Sequence, residues 1–166
     1  MGSNGSVIPF FKNLKKSGSL PITHPEMTRF NISLEDGCEM VFYAIDKAWG
    51  GEIFIPKIPS YRLIDVATAI APEMEKKVVG IRPGEKMHEI MCPKDDSHLT
   101  LEFDKHYTIK PSFTFEDATV DYSVTLLGEK GTAVSSGFEY NSETNHYFLS
   151  IKEIQSINKM VLKIPN

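Results

Sequence analysis

The chain has 166 residues, 41% of them hydrophobic and 24% charged, with a formal net charge of −4. That length and balance give one ordinary domain, or part of a larger one, able to bury a core without staples, and they exclude disordered and collagen-like classes. The acidic surplus makes the chain a poor general binder of nucleic acid or anionic membrane.

Taken in chain order, Met1-Gly2-Ser3-Asn4-Gly5-Ser6 fits three readings: an expression scar, a myristoylation pattern, or a native loop whose glycines let backbone N–H groups approach a ligand. Apolar residues at helical spacing follow, with Pro9 in the first turn and Gly18 as the stop, so a helix is expected over 9–16. A glycine loop running into a helix is half of a phosphate cradle, and the strand that should feed it is missing. Residues 20–23 read as a short extended segment and His24-Pro25-Glu26 as a turn. Ser33-Leu34-Glu35-Asp36 resembles a capping box. Leu34, Cys38, Val41, Phe42, Ile45 and Trp49 then recur as one wide apolar helical face, ended by Gly50-Gly51.

Residues 52–56 form a nearly all-apolar run, expected as a strand of a sheet covered on both faces. Ser60 is the expected cap of a helix that buries Leu63, Ile64, Ala67, Ile70 and Ala71 and is closed by Pro72. A strand over 77–81 and a short helix after Pro83-Gly84-Glu85 complete an alternation that favours a parallel α/β layout. Beyond Pro93 the pattern changes. Residues 99–103, 107–109 and 112–115 alternate like strands of an exposed hairpin or arm, 128–137 reads as a loop, and Ser150-Ile151-Lys152-Glu153 opens a last helix with Ile154, Ile157 and Val161 on one side. The expected division is 1–93, an α/β segment completing a sheet and carrying the substrate site, and 94–166, a β-arm with the C-terminal helix. No apolar run approaches the ~20 residues that span a bilayer, and Cys38 and Cys92 read as reduced thiols of a cytoplasmic protein.

Four constellations bear on chemistry. In Ile81-Arg82-Pro83-Gly84-Glu85-Lys86 an apolar strand delivers an arginine to a turn, where its fork can meet an anion while Glu85 accepts from vicinal hydroxyls. A diphosphate-ribose unit presents that pairing; a surface Arg–Glu ion pair is the competing explanation. Arg29, just ahead of a capped helix, is a candidate second phosphate clamp or a solvated loop arginine. Tyr43 and Lys47 copy the Tyr-x3-Lys spacing of short-chain dehydrogenases, but at about 100° per residue they fall opposite the apolar stripe, on a polar face with no pocket implied. His88-Glu89-Ile90-Met91-Cys92 departs from the H-E-x-x-H zinc pattern at its last position, so no metal site is assigned.

Several segments run in the order seen in one family: Gly2-Ser3-Asn4-Gly5-Ser6-Val7-Ile8-Pro9, Pro21-Ile22-Thr23, Met27-Thr28-Arg29-Phe30, Gly51 to Ser60, Gly80 to Glu89, and Phe138-Glu139-Tyr140-Asn141-Ser142. Together they resemble the inverting UDP-N-acetylglucosamine 4,6-dehydratases of pseudaminic-acid and capsule pathways, which are extended short-chain dehydrogenase/reductases that hold NADP. The resemblance covers the C-terminal half of that family. It implies the substrate-binding portion of a Rossmann-type α/β fold with a β-rich arm, the N-terminal nucleotide-binding half being absent along with the cofactor glycine motif and the catalytic residues.

The family reaction moves hydride from C4 of the sugar to NADP, loses water across C5 and C6, and returns hydride to C6 with inversion at C5. It makes a 4-keto-6-deoxy sugar nucleotide for cell-surface or flagellin glycans. By resemblance, Met1, Gly2, Ser3 and Asn4 lie beside the cofactor, Val7 and Thr23 contact substrate, and Arg82 binds the diphosphate with Glu85 on its ribose side. Arg29 aligns with a second phosphate arginine, and Glu139 reaches the sugar or uridine end. Asn31 stands where the family has an aromatic residue. The implied partners are a UDP-sugar, the missing half and, for the complete enzyme, further copies of itself; the chain alone is expected to be inactive and prone to self-association. A stand-alone nucleotide-sugar-binding module and a fragment of a related epimerase are the alternatives.

Overall fold

A computed structural model describes residues 10, 11, 14, 18–113 and 120–161, except for the side chains of Met160 and Val161. The chain divides into two compact units built from interleaved segments. The first comprises 1–31, 59–89 and 142–166; the second comprises 32–58 and 90–141.

In the first unit β1 (Ser19–Ile22) pairs in parallel with β5 (Glu75–Val78), Ser19 opposite Glu75. β2 (Thr28–Phe30) pairs antiparallel with β4 (Ser60–Arg62), which sets Arg29 opposite Tyr61. The expected turn at 24–26 is present, with the Met27 N–H donating to the His24 carbonyl at 3.2 Å. Helix α2 (Leu63–Ile70) buries Leu63, Val66, Ala67 and Ile70, an i, i+3, i+4, i+7 face. It packs on α3 (Ile151–Val161) around Leu20, Ile22, Met27 and Ile154. Ser60 is not the helix cap. Its Oγ accepts from Asn145 and its backbone bonds to Tyr147 and Leu149, so it is buried in β4, and Arg62 takes the N-cap position without a side-chain bond. The last helix opens after Ser150 as expected, and Ser150 caps it reciprocally with Glu153. The helix expected over 9–16 lies almost wholly outside the described residues.

The second unit opens with α1 (Leu34–Lys47), whose capping box is formed as expected: Ser33 Oγ accepts from the Asp36 N–H at 3.0 Å, and Asp36 Oδ2 accepts from the Ser33 N–H at 3.3 Å. Ser33→Ala should cost about 1 kcal/mol in urea unfolding; an unchanged midpoint would show that the box contributes nothing. β3 (Ile53–Pro56), β7 (Thr100–Glu102), β8 (His106–Ile109) and β9 (Thr132–Ala133) form one antiparallel sheet in the order β3-β8-β7-β9. β6 (Ile90–Cys92) pairs antiparallel with β10 (Tyr140–Asn141), and a 3-10 turn spans Lys94–Leu99.

The α/β character is as expected, but among the described strands only β1 and β5 pair in parallel, beside an isolated parallel bridge from Ser60 to Phe148. The apolar 52–56 run pairs antiparallel with β8 instead, and it is not covered on both faces: Ile55 is buried while Ile53 is exposed. The 99–109 hairpin exists, yet it is no exposed arm: all four residues of β8 are buried between β3 and β7.

Two side chains expected on a bare polar face in fact pack inwards. The Tyr43 hydroxyl donates to Glu129 Oε2 at 2.5 Å, Lys47 Nζ reaches the same oxygen at 2.8 Å, and the Tyr43 ring stands edge-on to Phe54 and His106. Burial, reinforced by Glu129, pushes the Tyr43 phenol up, the reverse of what a lysine-activated acid–base tyrosine needs. The Tyr-x3-Lys pair is thus a structural contact to Glu129.

His106 is fully buried, stacked on Phe103 at 4.6 Å, and neither ring nitrogen has a partner among the described residues. Burial pushes it down to about 4, Lys47 and Lys57 acting the same way and Glu129 opposing. Between the ordinary histidine value near 6.5 and about 4, the unfolded chain takes up a proton that the folded chain refuses. Stability should therefore fall as pH falls through that window, by at most about 1.4 kcal/mol per pH unit. Glu129, held down first by its Lys47 and Tyr43 hydrogen bonds, contributes stability above the ordinary glutamate value and loses it as pH falls further. Chemical unfolding from pH 7 to 4 should show the slope, and His106→Phe should flatten it; equal slopes in the two proteins would contradict the assignment.

Candidate functional site

Beyond β5 the chain turns at 82–85. The Val79 N–H bonds to the Ile22 carbonyl at 2.9 Å, tying the start of this segment to the end of β1. Gly84 has φ +79°, the left-handed conformation that glycine adopts without a Cβ penalty. The Glu85 N–H donates to the Arg82 carbonyl at 3.0 Å, and Glu85 Oε2 accepts from the Arg82 N–H at 3.3 Å. The expected short helix does not follow. The segment runs extended into β6, since its N–H groups bond across to other strands and side chains rather than down a helix.

Arg29 holds this turn from β2. Its Nη1 donates to the carbonyls of Thr28 at 2.7 Å and Met87 at 3.1 Å, and its Nη2 to the Lys86 carbonyl at 2.8 Å. Nε lies 3.3 Å from Glu89 Oε1, and Nη2 lies 4.0 Å from Glu85 Oε1. A planar fork with fixed donors suits this task, because one side chain satisfies two turn carbonyls and two carboxylates together.

A second set of bonds pins the far end of the turn. Thr28 Oγ1 meets His88 Nδ1 at 2.8 Å and Ser142 Oγ at 2.7 Å; Ser142 Oγ also accepts from the Glu89 N–H at 2.9 Å, and the Ser142 N–H donates to the Glu89 carbonyl at 2.8 Å. His88 Nε2 stands 3.6 Å from Glu143. Tyr61, opposite Arg29 in the ladder, is buried, and burial raises its phenol against the lowering effect of Arg29.

The Arg82 side chain is exposed, and its guanidinium makes no hydrogen bond or ion pair among the described residues. The turn thus presents Arg82 and the exposed Lys86 on a scaffold held by Arg29. Arg29, Arg82 and Glu85 are brought together here. Thr23 is buried immediately after β1, beside the Ile22 contact to Val79. Glu139 belongs to the other unit, where its carboxylate accepts from Asn141 Nδ2 at 2.5 Å. Val7, Met1, Gly2, Ser3 and Asn4 lie outside the described residues. Thr28, Ser142 and Glu89 were missed as site builders; the one signal available was that the short segments containing them occur together in order.

These features define an α/β protein with an arginine-held turn suited to an anion. A family model described as polysaccharide biosynthesis protein matches residues 1–111. The chain belongs to that family. It is 53% identical over 159 residues to a UDP-N-acetylglucosamine 4,6-dehydratase (inverting) from Campylobacter jejuni, a match covering 95% of this chain and 48% of the relative. It is 31% identical over 163 residues to a UDP-glucose 4-epimerase from Rickettsia felis, covering 95% of this chain and 46% of that relative. The crystal structure of Pen from Bacillus thuringiensis superposes with a TM-score of 0.74 at 26% identity, covering 97% of this chain and 47% of that one. The chain therefore spans about half the length of the relatives it matches. No helix among the described residues is long and apolar enough to cross a membrane.

Proposed function

We propose that the chain is the substrate-binding, C-terminal half of an inverting UDP-N-acetylglucosamine 4,6-dehydratase, completing a Rossmann-type sheet in the whole enzyme. The observation that carries this reading is the 53% identity to such an enzyme across 95% of the chain. The turn at 82–89 suits it: an exposed, uncommitted guanidinium meets a diphosphate bidentately, and the neighbouring Glu85 carboxylate accepts from a ribose diol. Arg29 acts here as a positioning residue, since its donors are directed at the turn itself. Thr23 and Val7 are the proposed sugar-side contacts, and Glu139 the proposed contact at the far end of the substrate. The higher identity to the dehydratase than to the epimerase favours the former.

NADP would supply the hydride exchange in the complete enzyme. The residues assigned to it lie outside the described ones, and among the described residues no glycine loop feeds a helix N-terminus. The described part of the chain thus offers no dinucleotide cradle, and its contribution is to bind and orient substrate.

Calorimetric titration with UDP-N-acetylglucosamine, UDP and uridine tests the reading. Binding should follow the diphosphate, with UDP and the UDP-sugar both binding and uridine giving no heat. Equal responses to all three, or none to any, would overturn it.

A further inference from the structure

The hydroxyls at the far end of the 82–89 turn form a relay whose direction is fixed at both ends. At one end Ser142 Oγ accepts from the Glu89 N–H at 2.9 Å, a group that can only donate. Its other bond among the described residues is to Thr28 Oγ1, at 2.7 Å. Ser142 is fully buried, so its own proton goes to Thr28, since a buried hydroxyl proton without an acceptor is costly. Thr28 Oγ1 then passes its proton to His88 Nδ1 at 2.8 Å. With Nδ1 accepting, the proton of the neutral ring sits on Nε2, which faces the Glu143 carboxylate at 3.6 Å. That spacing is electrostatic support rather than a hydrogen bond, and it favours the same direction.

We propose that His88 is a positioning residue of the substrate site: neutral and protonated on Nε2, it ends the relay that holds the turn presenting Arg82, and a second proton on its ring releases that hold. The inference rests on the substrate reading and adds a regulation to the same site. Once Nδ1 carries a proton it donates, and Thr28 has lost its acceptor. The relay must then reverse, which strands the Ser142 proton, or break. The consequence reaches the turn because Glu89 is the last link, bonded to Ser142 through its N–H and carbonyl and to Arg29 through its carboxylate.

Histidine takes up its charge between about pH 8 and pH 5. The charged groups facing this ring are Glu143 from the 142–143 segment, Glu89 beside it in the chain, and Arg29 from β2, which is tied to Glu89 and the Met87 carbonyl. Tyr61 of β4 stays neutral through this range, because burial raises its phenol. The two carboxylates draw the second proton to the ring as pH falls.

The test uses the full chain and UDP-N-acetylglucosamine, a diphosphate diester with no phosphate proton that titrates in this range. Calorimetry should show affinity falling about three- to tenfold from neutral pH to about pH 5.5. His88→Leu, which removes the acceptor, should bind about three- to tenfold more weakly at neutral pH. His88→Asn places a carbonyl oxygen where Nδ1 stands and cannot titrate, so it should recover most of that loss and flatten the pH profile. His106 is present in every variant, so any loss in acid that it causes is common to all. Nitrogen-15 spectra should show an Nε2–H ring at neutral pH, assigned by its disappearance in His88→Asn. An Nδ1–H ring, a wild-type affinity unchanged in acid, a His88→Leu protein that binds like wild type, or an equal acid loss in His88→Asn would each overturn the proposal. Hydrogen exchange of the Glu89 amide separates it from the substrate reading. If protection falls in acid in the wild type but not in His88→Asn, and no sugar nucleotide binds, the substrate assignment alone is lost; binding that ignores His88 removes this inference alone.

Discussion

Arg29→Met should destabilise the chain by about 2–4 kcal/mol and weaken UDP binding at least about tenfold. The substitution keeps most of the volume and removes every donor. It leaves the Lys86 and Met87 carbonyls without their guanidinium and Glu85 and Glu89 without the cation they share. The side chain is 21% exposed, so water recovers part of the loss and the estimate is set below that for a fully buried pair. Arg29→Lys should recover little, because a point charge cannot reach two carbonyls and two carboxylates at once. Urea unfolding and UDP titration of both variants provide the check. Wild-type stability in Arg29→Met would mean that the turn needs no clasp.

Arg82→Ala should do the opposite: leave stability within about 0.5 kcal/mol and lower UDP affinity about ten- to a hundredfold. Its guanidinium holds nothing in the fold, so truncating it leaves no group unsatisfied. The backbone bonds between Arg82 and Glu85 survive the change. Calorimetry gives the affinity and thermal unfolding the control. Unchanged affinity would remove Arg82 from the site.

The local features of the fold were legible where the signal was local. The Ser33 and Ser150 capping boxes, the turn after His24 and the 99–109 hairpin follow from short-range chemistry, and each forms. What failed depended on partners distant in sequence. An apolar run such as 52–56 reads alike whether its neighbour is parallel or antiparallel, and only the pairing with β8 decides. The turn at 82–89 carries a helix-start pattern, but bonds to Arg29, Thr28 and Ser142 hold it extended.

Helix α1 gives the sharpest lesson. Its periodicity shows the apolar face correctly, but the face expected to be bare and polar is the packed one, that of Tyr43 and Lys47, while the apolar face is exposed. Periodicity locates a face that wants burial without saying what buries it.

At the site, Arg82 and Glu85 were visible from composition at a turn. The role of Arg29 was not, because spacing cannot show which acceptors a guanidinium finds. The sequence pointed to two arginines gripping one diphosphate; the donors of Arg29 are directed at the carbonyls and carboxylates of the 82–89 turn.

UDP titration of Arg29→Met, Arg82→Ala and the double variant tests that division of labour most directly. If Arg29 acts through the turn that presents Arg82, the double variant should bind no more weakly than the worse single variant. Losses that add, as for two independent phosphate ligands, would contradict it.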